Sequence, residues 1–345
     1  MASKRVLAFD FGASSGRAIL ATYADGKIAM QEIHRFSNDP VNLCGTLYWD
    51  VQRLFFEIKQ GITKAVHQGG FDAIGIDTWG VDFGLLDAHG QLVANPVHYR
   101  DERTVGMMEK AYEKVPQQEL YDRTGIQLMR LNTVFQLVSL AENRPDLLER
   151  AETMLLMPDL LAYFLTGAKY AEYSEVSTTQ MLDPKTGDWA YDLLERLGIP
   201  TRILPKIIDA GTPYGTLRAD ICDELGCPAV PVIAVCTHDT GSAVAAVPSQ
   251  KDDFIYISCG TWSLFGTELK APIINETSRR FNLTNEGGYG RTARMLKNIM
   301  GLWLIQESRR QWIREGFDVS YAGLEREALE IEPFRCFIDP DDPSF

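Results

Sequence analysis

A histidine, an aspartate and a threonine stand together near the middle of the sequence, where an apolar run ends. His238, Asp239 and Thr240 follow a strand-like segment at 229–235 and precede a small-residue helix expected over 241–247. A carboxylate at such a strand end can accept a proton from a substrate hydroxyl, with its two neighbours as hydrogen-bonding partners. The alternative is that Asp239 only caps the following helix, which is the commoner role for aspartate there. The pattern leaves both interpretations open.

A second cluster, near the start of the chain, has the residue types of an anion-binding turn. Small residues and serines separate two apolar runs, at 6–9 and 17–23. Glycine lets backbone N–H groups approach a phosphate, and consecutive N–H groups form an anion-binding concavity. The residues in question are Ala13, Ser14, Ser15, Gly16 and Arg17. Asp10, just before them, could hold a hydrated Mg²⁺, which needs only one or two carboxylates. The alternative is a plain β-turn, since neither a Walker A nor a GxGxxG pattern is present.

Two further segments could contact a ligand. At 77–82 a tryptophan and the bare backbone of Gly80 lie between two aspartates, which suits a polyhydroxylated molecule; a buried tryptophan at a strand end is the alternative. A long helix is expected from about 296 to 314, carrying Asn298 and Gln306. Eight residues of helix span about 12 Å, so these two side chains could contact two ligands or two parts of one. Otherwise they are ordinary polar residues of a helix.

The elements that must position these residues alternate between strands and helices. Strands are expected at 6–9, 17–23, 28–36, 73–78, 254–258 and 262–269, and helices after Asp50 and near 133–142 and 159–165. The turn around Gly12 has an echo around Gly260, 248 residues later. This echo is either a coincidence or a sign of two related domains, each offering a phosphate-binding hairpin. A polar break at 249–253 divides the chain into expected domains 1–248 and 249–345.

Composition restricts the partners. The 345 residues have a formal charge of −13, which argues against nucleic acid or an anionic membrane as a partner. Any phosphate must therefore be bound by local groups. No apolar run reaches the roughly 18 residues of a membrane span. The first residues lead directly into a strand-like run, so we expect no signal peptide. The six cysteines include no CxxC pair, so we expect reduced thiols, a cytoplasmic location and no zinc site.

The motifs resemble those of the FGGY carbohydrate kinases along the whole chain. The matching segments are 10–17 (DFGASSGR), 75–83 (GIDTWGVDF), 99–104 (YRDERT), 156–159 (LMPD), 238–244 (HDTGSAV), 258–263 (SCGTWS), 284–288 (TNEGG) and 296–306 (LKNIMGLWLIQ). This resemblance implies an α/β fold with two RNase H-like domains of the actin and Hsp70 ATPase type, which close on ATP and a sugar. It also implies that the chain stops within its second domain, which would be incomplete, so that this chain itself could be inactive.

The resemblance further implies an activity and a role for each candidate residue. The activity is ATP- and Mg²⁺-dependent phosphorylation of the C1 hydroxyl of L-rhamnulose in rhamnose catabolism. The alternatives are L-fuculose, xylulose or glycerol as substrate, or a sugar-binding fragment without catalysis. Asp239 would be the proton acceptor; Gly80, His238, Thr240 and Asn298 would join it in contacting the sugar; Ala13, Ser14, Ser15, Gly16, Arg17, Thr261 and Gln306 would contact ATP.

Overall fold

The computed structural model describes residues 3–251, 253–340 and 342. Position 252, within the expected break between domains, lies outside the described residues, as do 1–2, 341 and 343–345. The strands are β1 (Lys4–Phe11), β2 (Ser15–Ala24), β3 (Lys27–Ser37), β4 (Val41–Leu43), β5 (Thr46–Tyr48), β6 (Ala73–Thr78), β7 (Phe83–Leu86), β8 (Thr153–Leu156), β9 (Tyr170–Glu172), β10 (Leu182–Asp183), β11 (Asp188–Trp189), β12 (Lys206–Ile208), β13 (Pro213–Thr216), β14 (Pro231–Ile233), β15 (Ile255–Cys259), β16 (Trp262–Leu269), β17 (Thr284–Gly287) and β18 (Ala293–Met300).

Helices connect these strands and cover the sheets. They are α1 (Val51–His67), α2 (Met107–Lys114), α3 (Gln117–Thr124), α4 (Thr133–Asn143), α5 (Pro145–Arg150), α6 (Met157–Thr166), α7 (Tyr173–Thr178), α8 (Tyr191–Leu197), α9 (Ala219–Leu225), α10 (Asp239–Ala245), α11 (Glu276–Arg280), α12 (Trp303–Arg314) and α13 (Tyr321–Glu330), with short 3₁₀ turns at Glu102–Thr104, Thr201–Ile203 and Tyr289–Arg291. Within the described ranges, none is long and apolar enough to cross a bilayer.

The first sheet has the order β13-β14-β6-β1-β2-β3. Strands β1, β2 and β3 are antiparallel neighbours, whereas β6 runs parallel to β1 and β14 parallel to β6. This arrangement confirms the expected RNase H-like topology. Because β1, β6 and β14 are parallel, their carboxyl ends lie at one edge of the sheet, where ligands of α/β proteins bind.

Helix α1 packs closely on this sheet. Its buried positions, which recur with helical spacing, are Val51, Leu54, Glu57, Ile58, Gly61, Ile62 and Ala65. Asp50 caps its first turn, as expected, by accepting a hydrogen bond from the backbone N–H of Arg53 at 3.0 Å. A Cβ on Gly61 would lie 2.5 Å from a ring carbon of Phe9 on β1. Glycine therefore sets how closely the helix approaches the sheet.

The second sheet, with the order β15-β16-β18-β17, corrects one prediction from the sequence. Segment 296–314 is not one helix: strand β18 ends at Met300, and α12 begins at Trp303. Strand β18 is hydrogen-bonded to β16 on one side and β17 on the other, and this pairing overrides local helix propensity. At the break, a Cβ on Gly301 would lie 2.7 Å from the backbone of Trp262. Only glycine lets the chain pass so close to the β15–β16 turn.

We call the part of the chain that carries the first sheet the first lobe, and the part that carries the second sheet the second lobe. Hydrogen bonds join the β17 edge of the second sheet to residues 121–128 of the first lobe. The side chain of Asn282 accepts from the N–H of Leu128 at 2.8 Å and donates to its carbonyl at 3.2 Å. The backbone and side-chain N–H groups of Asn285 both donate to the carbonyl of Gly125, at 2.9 and 3.1 Å. We call this set of contacts the 121–128 junction. It brings the β17–β18 face against the carboxyl ends of the first sheet.

Candidate active site

Three carboxylates meet at the carboxyl ends of the parallel strands. Asp10 and Asp77 are neighbours in the register of β1 and β6. Asp239 follows β14, which is tied to the end of β6 by the hydrogen bond from Thr78 N–H to Thr237 O at 2.9 Å. Burial, with further contributions from the charges of Asp10 and Asp239, raises the pKa of Asp77 well above its ordinary value. The three groups therefore form one acidic cluster.

Asp239 has a partly exposed carboxylate, as Asp10 does, but within the described part of the chain it forms no ion pair with an arginine. Its side chain is 37% exposed, and its Oδ1 accepts from the N–H of Thr240 at 2.5 Å and from its hydroxyl at 3.1 Å. The N-cap of α10 is His238, so Asp239 is the first helical residue and not the cap. Burial of the group, reinforced by the charge of Asp10, raises its pKa to about 6. Such a carboxylate is ionised at neutral pH and basic enough to accept a proton.

His238 is buried between the two lobes. Its Nδ1 lies 2.9 Å from Nη2 of Arg294, and its Nε2 lies 3.4 Å from Oδ1 of Asp239. Burial, followed by the charge of Arg294, lowers the pKa of His238 well below its ordinary value, so the ring is neutral. Arg294 also lies 3.3 Å from Oε2 of Glu286 on β17. Glu286 and Arg294 were not among the residues selected from the sequence.

Asn298 reaches the same place from the second lobe. It lies on β18, four residues after Arg294, so both side chains are on one face of the strand. Its backbone N–H donates to Oε1 of Gln127 at 2.9 Å, and its Nδ2 lies 3.5 Å from Oε1 of Glu286. Since Oε2 of Glu286 lies 3.4 Å from Nδ1 of His238, this glutamate bridges the two candidate sugar-binding residues. The structure thus brings His238 and Asn298 together.

Gly80 lies just beyond the end of β6, next to a strained residue. Val81 has a φ of +69°, in the left-handed region that β-branched residues rarely adopt. Its N–H donates to Oγ1 of Thr178 at 3.1 Å, and its carbonyl accepts from the hydroxyl of Thr133 at 2.6 Å. A Cβ on Gly80 would lie 3.1 Å from the side chain of Thr178. Neighbouring elements therefore fix the backbone at Gly80, as strained positions at functional sites require.

The tryptophan of the same segment is buried, which favours the structural alternative for it. Asp82 accepts from the indole N–H of Trp49 at 2.6 Å, from that of Trp79 at 3.1 Å and from the N–H of Tyr99 at 3.1 Å. Its second oxygen accepts from Gln136 at 3.0 Å. Both oxygens of Asp82 are therefore engaged, and this carboxylate supports the aromatic cluster.

Each of the two glycine turns joins a pair of antiparallel neighbouring strands, β1–β2 in the first sheet and β15–β16 in the second. In the β1–β2 turn, Gly12 N–H donates to Ser15 O at 2.9 Å; in the β15–β16 turn, Gly260 N–H donates to Trp262 O at 2.8 Å. Arg17 binds the carboxylate of Asp10, with Nη2 at 2.7 Å. The remaining candidate residues of the first turn, Ala13, Ser14 and Gly16, lie beside these groups.

The second turn also brings two candidate residues into contact. The hydroxyl of Thr261 donates to Oε1 of Gln306 on α12 at 3.3 Å. Both turns join antiparallel neighbours and are closed by a hydrogen bond from their glycine, which supports the interpretation of the sequence echo as two related hairpins, with the first loop one residue longer than the second.

Comparison with known proteins identifies the protein family of this chain. Residues 5–246 match the FGGY family of carbohydrate kinases, N-terminal domain, and residues 255–345 match the C-terminal domain of that family. The chain therefore belongs to the FGGY carbohydrate kinases, which are ATP-dependent sugar kinases. Within the family it is 43% identical over 339 residues to a rhamnulokinase of Bacteroides thetaiotaomicron, covering 98% of this chain and 69% of that protein. It is also 43% identical to a rhamnulokinase of Oceanobacillus iheyensis, covering 98% and 71%.

Solved structures show the same fold at low sequence identity. A ligand-bound xylulose kinase from Lactobacillus acidophilus matches with a TM-score of 0.78 at 18% identity, covering 89% of this chain and 62% of that one. A Plasmodium falciparum glycerol kinase with ADP matches with a TM-score of 0.74 at 15% identity, covering 88% and 64%. The chain thus spans somewhat less than two thirds of the length of these solved structures.

Proposed function

We propose that this protein transfers the γ-phosphoryl group of ATP to the C1 hydroxyl of L-rhamnulose, as a step of rhamnose catabolism in the cytoplasm. The observation that carries the proposal is the open carboxylate of Asp239, with a pKa of about 6, between neutral His238 and Thr240 in the cleft. The similarity to rhamnulokinases supports L-rhamnulose as the sugar. The free cysteines fit a reducing compartment.

In this mechanism the sugar is bound by Gly80, His238, Thr240 and Asn298, with C1 near Asp239. Asp239 accepts the proton of the C1 hydroxyl. At the same time the hydroxyl oxygen of the sugar forms a bond to the γ-phosphorus, and the bond from that phosphorus to the leaving ADP oxygen breaks. The products are L-rhamnulose 1-phosphate and ADP, and the proton is on Asp239. Phosphoryl transfer requires mainly in-line placement and neutralised charge, so the residues act chiefly by positioning.

The phosphates of ATP would be bound by the two glycine turns. The proposed contacts are Ala13, Ser14, Ser15, Gly16 and Arg17 in the first turn, and Thr261 in the second with Gln306 beside it. Because the chain has a net charge of −13, these local N–H groups and Arg17 must supply the attraction that the overall field opposes. Backbone N–H groups of such turns suit phosphate oxygens.

Magnesium fits the acidic cluster only as a largely hydrated ion. Oδ1 of Asp77 is buried without a hydrogen-bond partner, and Asp10 presents a partly exposed carboxylate. Among the described residues no group of three His, Cys, Asp or Glu side chains is arranged to hold a metal. We propose that Asp10 contacts Mg²⁺ through water, since this ion keeps most of its water ligands. When bound, the ion would neutralise the charge of the phosphates.

A coupled ATP assay with a panel of sugars tests this proposal. The 345-residue chain would be offered L-rhamnulose, L-fuculose, xylulose and glycerol, with the Bacteroides rhamnulokinase assayed alongside. Asp239→Asn is expected to lower kcat by about 10²–10⁴-fold, the usual contribution of a general base, while calorimetry still detects sugar binding. Asp220→Asn, at an exposed carboxylate on α9 paired with Arg218, is the matched control and should leave kcat unchanged.

Each alternative has its own outcome. Higher kcat/KM with L-fuculose, xylulose or glycerol would replace the proposed substrate. Sugar binding without turnover by the unaltered chain would favour a sugar-binding fragment without catalysis. Undiminished kcat in Asp239→Asn would remove this carboxylate from the mechanism.

A further inference from the structure

A fully buried arginine lies behind the proposed proton acceptor. Arg294 on β18 has no exposed side-chain surface. Its Nε donates to the carbonyl of Gly287 at 2.8 Å, and its Nη2 lies 2.9 Å from Nδ1 of His238. The carboxylate of Glu286, 3.3 Å away, provides the countercharge that a buried cation requires. Arg294 is therefore held as a guanidinium at a fixed position.

The contact between Arg294 and His238 determines where the imidazole proton lies. A guanidinium has N–H donors and no acceptor atom, so the nitrogen that it meets must carry a lone pair. Nδ1 of His238 lies closer to this donor, at 2.9 Å, than to the Glu286 carboxylate, at 3.4 Å, so we take it as the unprotonated nitrogen of a neutral ring with the proton on Nε2. Nε2 in turn lies 3.4 Å from Oδ1 of Asp239. The histidine therefore directs an N–H group at the carboxylate.

The donors around Asp239 all meet the same oxygen. The N–H and the hydroxyl of Thr240 donate to Oδ1, at 2.5 and 3.1 Å, and Nε2 of His238 faces Oδ1 as well. Oδ1 is thus surrounded by donors from two residues. Among the described residues no hydrogen bond to the second oxygen, Oδ2, is present, and the side chain is 37% exposed, so we take Oδ2 to be the oxygen open to substrate.

We propose that Arg294, with Glu286 as its counter-ion, is a positioning residue that holds His238 in the Nε2–H tautomer and so makes Oδ2 of Asp239 the oxygen that accepts the substrate proton. This inference rests on the proposed function, because it assigns an atom to the proton acceptor named there. The charged groups that face His238 are Arg294 from β18, Glu286 from β17 and Asp239 from α10. Arg294 touches neither the sugar nor ATP in this mechanism.

Two-bond ¹H–¹⁵N spectra of the ¹⁵N-histidine-labelled chain test the tautomer directly. The signals of His238 are assigned by their loss in His238→Gln. We expect the Nε2–H tautomer, unchanged down to about pH 6, where an ordinary histidine is largely protonated. An Nδ1–H tautomer or a charged ring in the unaltered chain would overturn the inference without any variant.

Variants test whether Arg294 is the cause. Arg294→Met alone would leave Glu286 buried without a partner and could prevent folding, so the main variant is Arg294→Met combined with Glu286→Leu. Replacing both members of a buried pair by apolar residues is often tolerated. We expect this variant to fold, with the His238 signals becoming those of a tautomer mixture. Arg294→Lys, which keeps one donor near Nδ1, is expected to restore the Nε2–H form. A pure Nε2–H signal in the double variant would contradict the role of Arg294.

The kinetic readout separates positioning from binding. In the double variant we expect kcat to fall by about 10²-fold, as for a small misplacement of a reacting group, with KM for the sugar changed far less. The matched control is Arg218→Met with Asp220→Leu, an exposed ion pair at 2.8 Å at the start of α9, which should leave the signals of His238 unchanged. Absence of sugar turnover in the unaltered chain would count against catalysis by this chain alone, while the tautomer measurement would still stand or fall by itself.

Discussion

Val81 offers a quantitative test of the strained backbone beside Gly80. At a φ of +69°, the backbone conformation of an L-residue costs about 1–2 kcal/mol, a cost that glycine does not have. At ordinary positions glycine is instead less stable than alanine, by about 0.5–1 kcal/mol, because its unfolded chain is more flexible. Val81→Gly should therefore be at least as stable as Val81→Ala. Both variants lose nearly the same buried side chain, so the comparison isolates the backbone.

Val93 is the matched control, because it is also a buried valine outside helices and strands, and its φ is not positive. There we expect glycine to be less stable than alanine. At each position we compare the free energy of unfolding of the glycine variant with that of the alanine variant. This glycine–alanine difference should be about 1–2 kcal/mol more favourable to glycine at position 81 than at position 93. Urea titrations followed by tryptophan fluorescence measure this difference, since the rings of Trp49 and Trp79, with centroids 3.9 Å apart, lie in the same buried cluster as Val81. Equal differences at both positions would refute the assignment of strain to Val81.

Two further predictions concern pH and packing. Asp239 must be ionised to accept a proton, and its pKa is raised to about 6. Below pH 6, kcat should therefore rise about tenfold per pH unit, and above pH 6 it should level off. A flat profile between pH 5 and 7 in the coupled assay would argue against this carboxylate as the base. Gly61→Ala gains helix propensity of about 1 kcal/mol, but its Cβ would lie 2.5 Å from the ring of Phe9, and such overpacking costs about 1–3 kcal/mol. We expect a lower urea midpoint, and an unchanged or higher one would show that the sheet can yield there.

Local patterns were sufficient to predict most of the elements that carry the site. Strands β6 and β16 have the predicted bounds, because each is a short apolar or alternating run bounded by turn residues. The start of α1 was predicted from its cap at Asp50. The domain limits 1–248 and 249–345, and the roles of the individual site residues, stay predictions.

The segment after residue 292 shows why sequence patterns fail at some positions. Residues 296–300 contain apolar and polar types that fit a helix as well as a strand. Pairing of this segment with β16 and β17, which lie earlier in the sequence, decides between helix and strand. The same cause hid Arg294 and Glu286, since they meet across paired strands and not within one motif. His238, Asp239 and Thr240 were found because they are consecutive.

The 121–128 junction binds the β17 edge of the second sheet, while β15 lies at the opposite edge. For a rotation of the two lobes about this junction, we expect displacement to increase from β17 to β15. Asn298, whose N–H donates to Gln127, would then move little, whereas the β15–β16 turn would move furthest. On that side Arg100 lies over the ring of Trp303 at 3.8 Å, a contact less directional than the hydrogen bonds of the junction. We therefore expect the proposed phosphate-binding turn to be displaced more readily than the proposed sugar-binding residue Asn298.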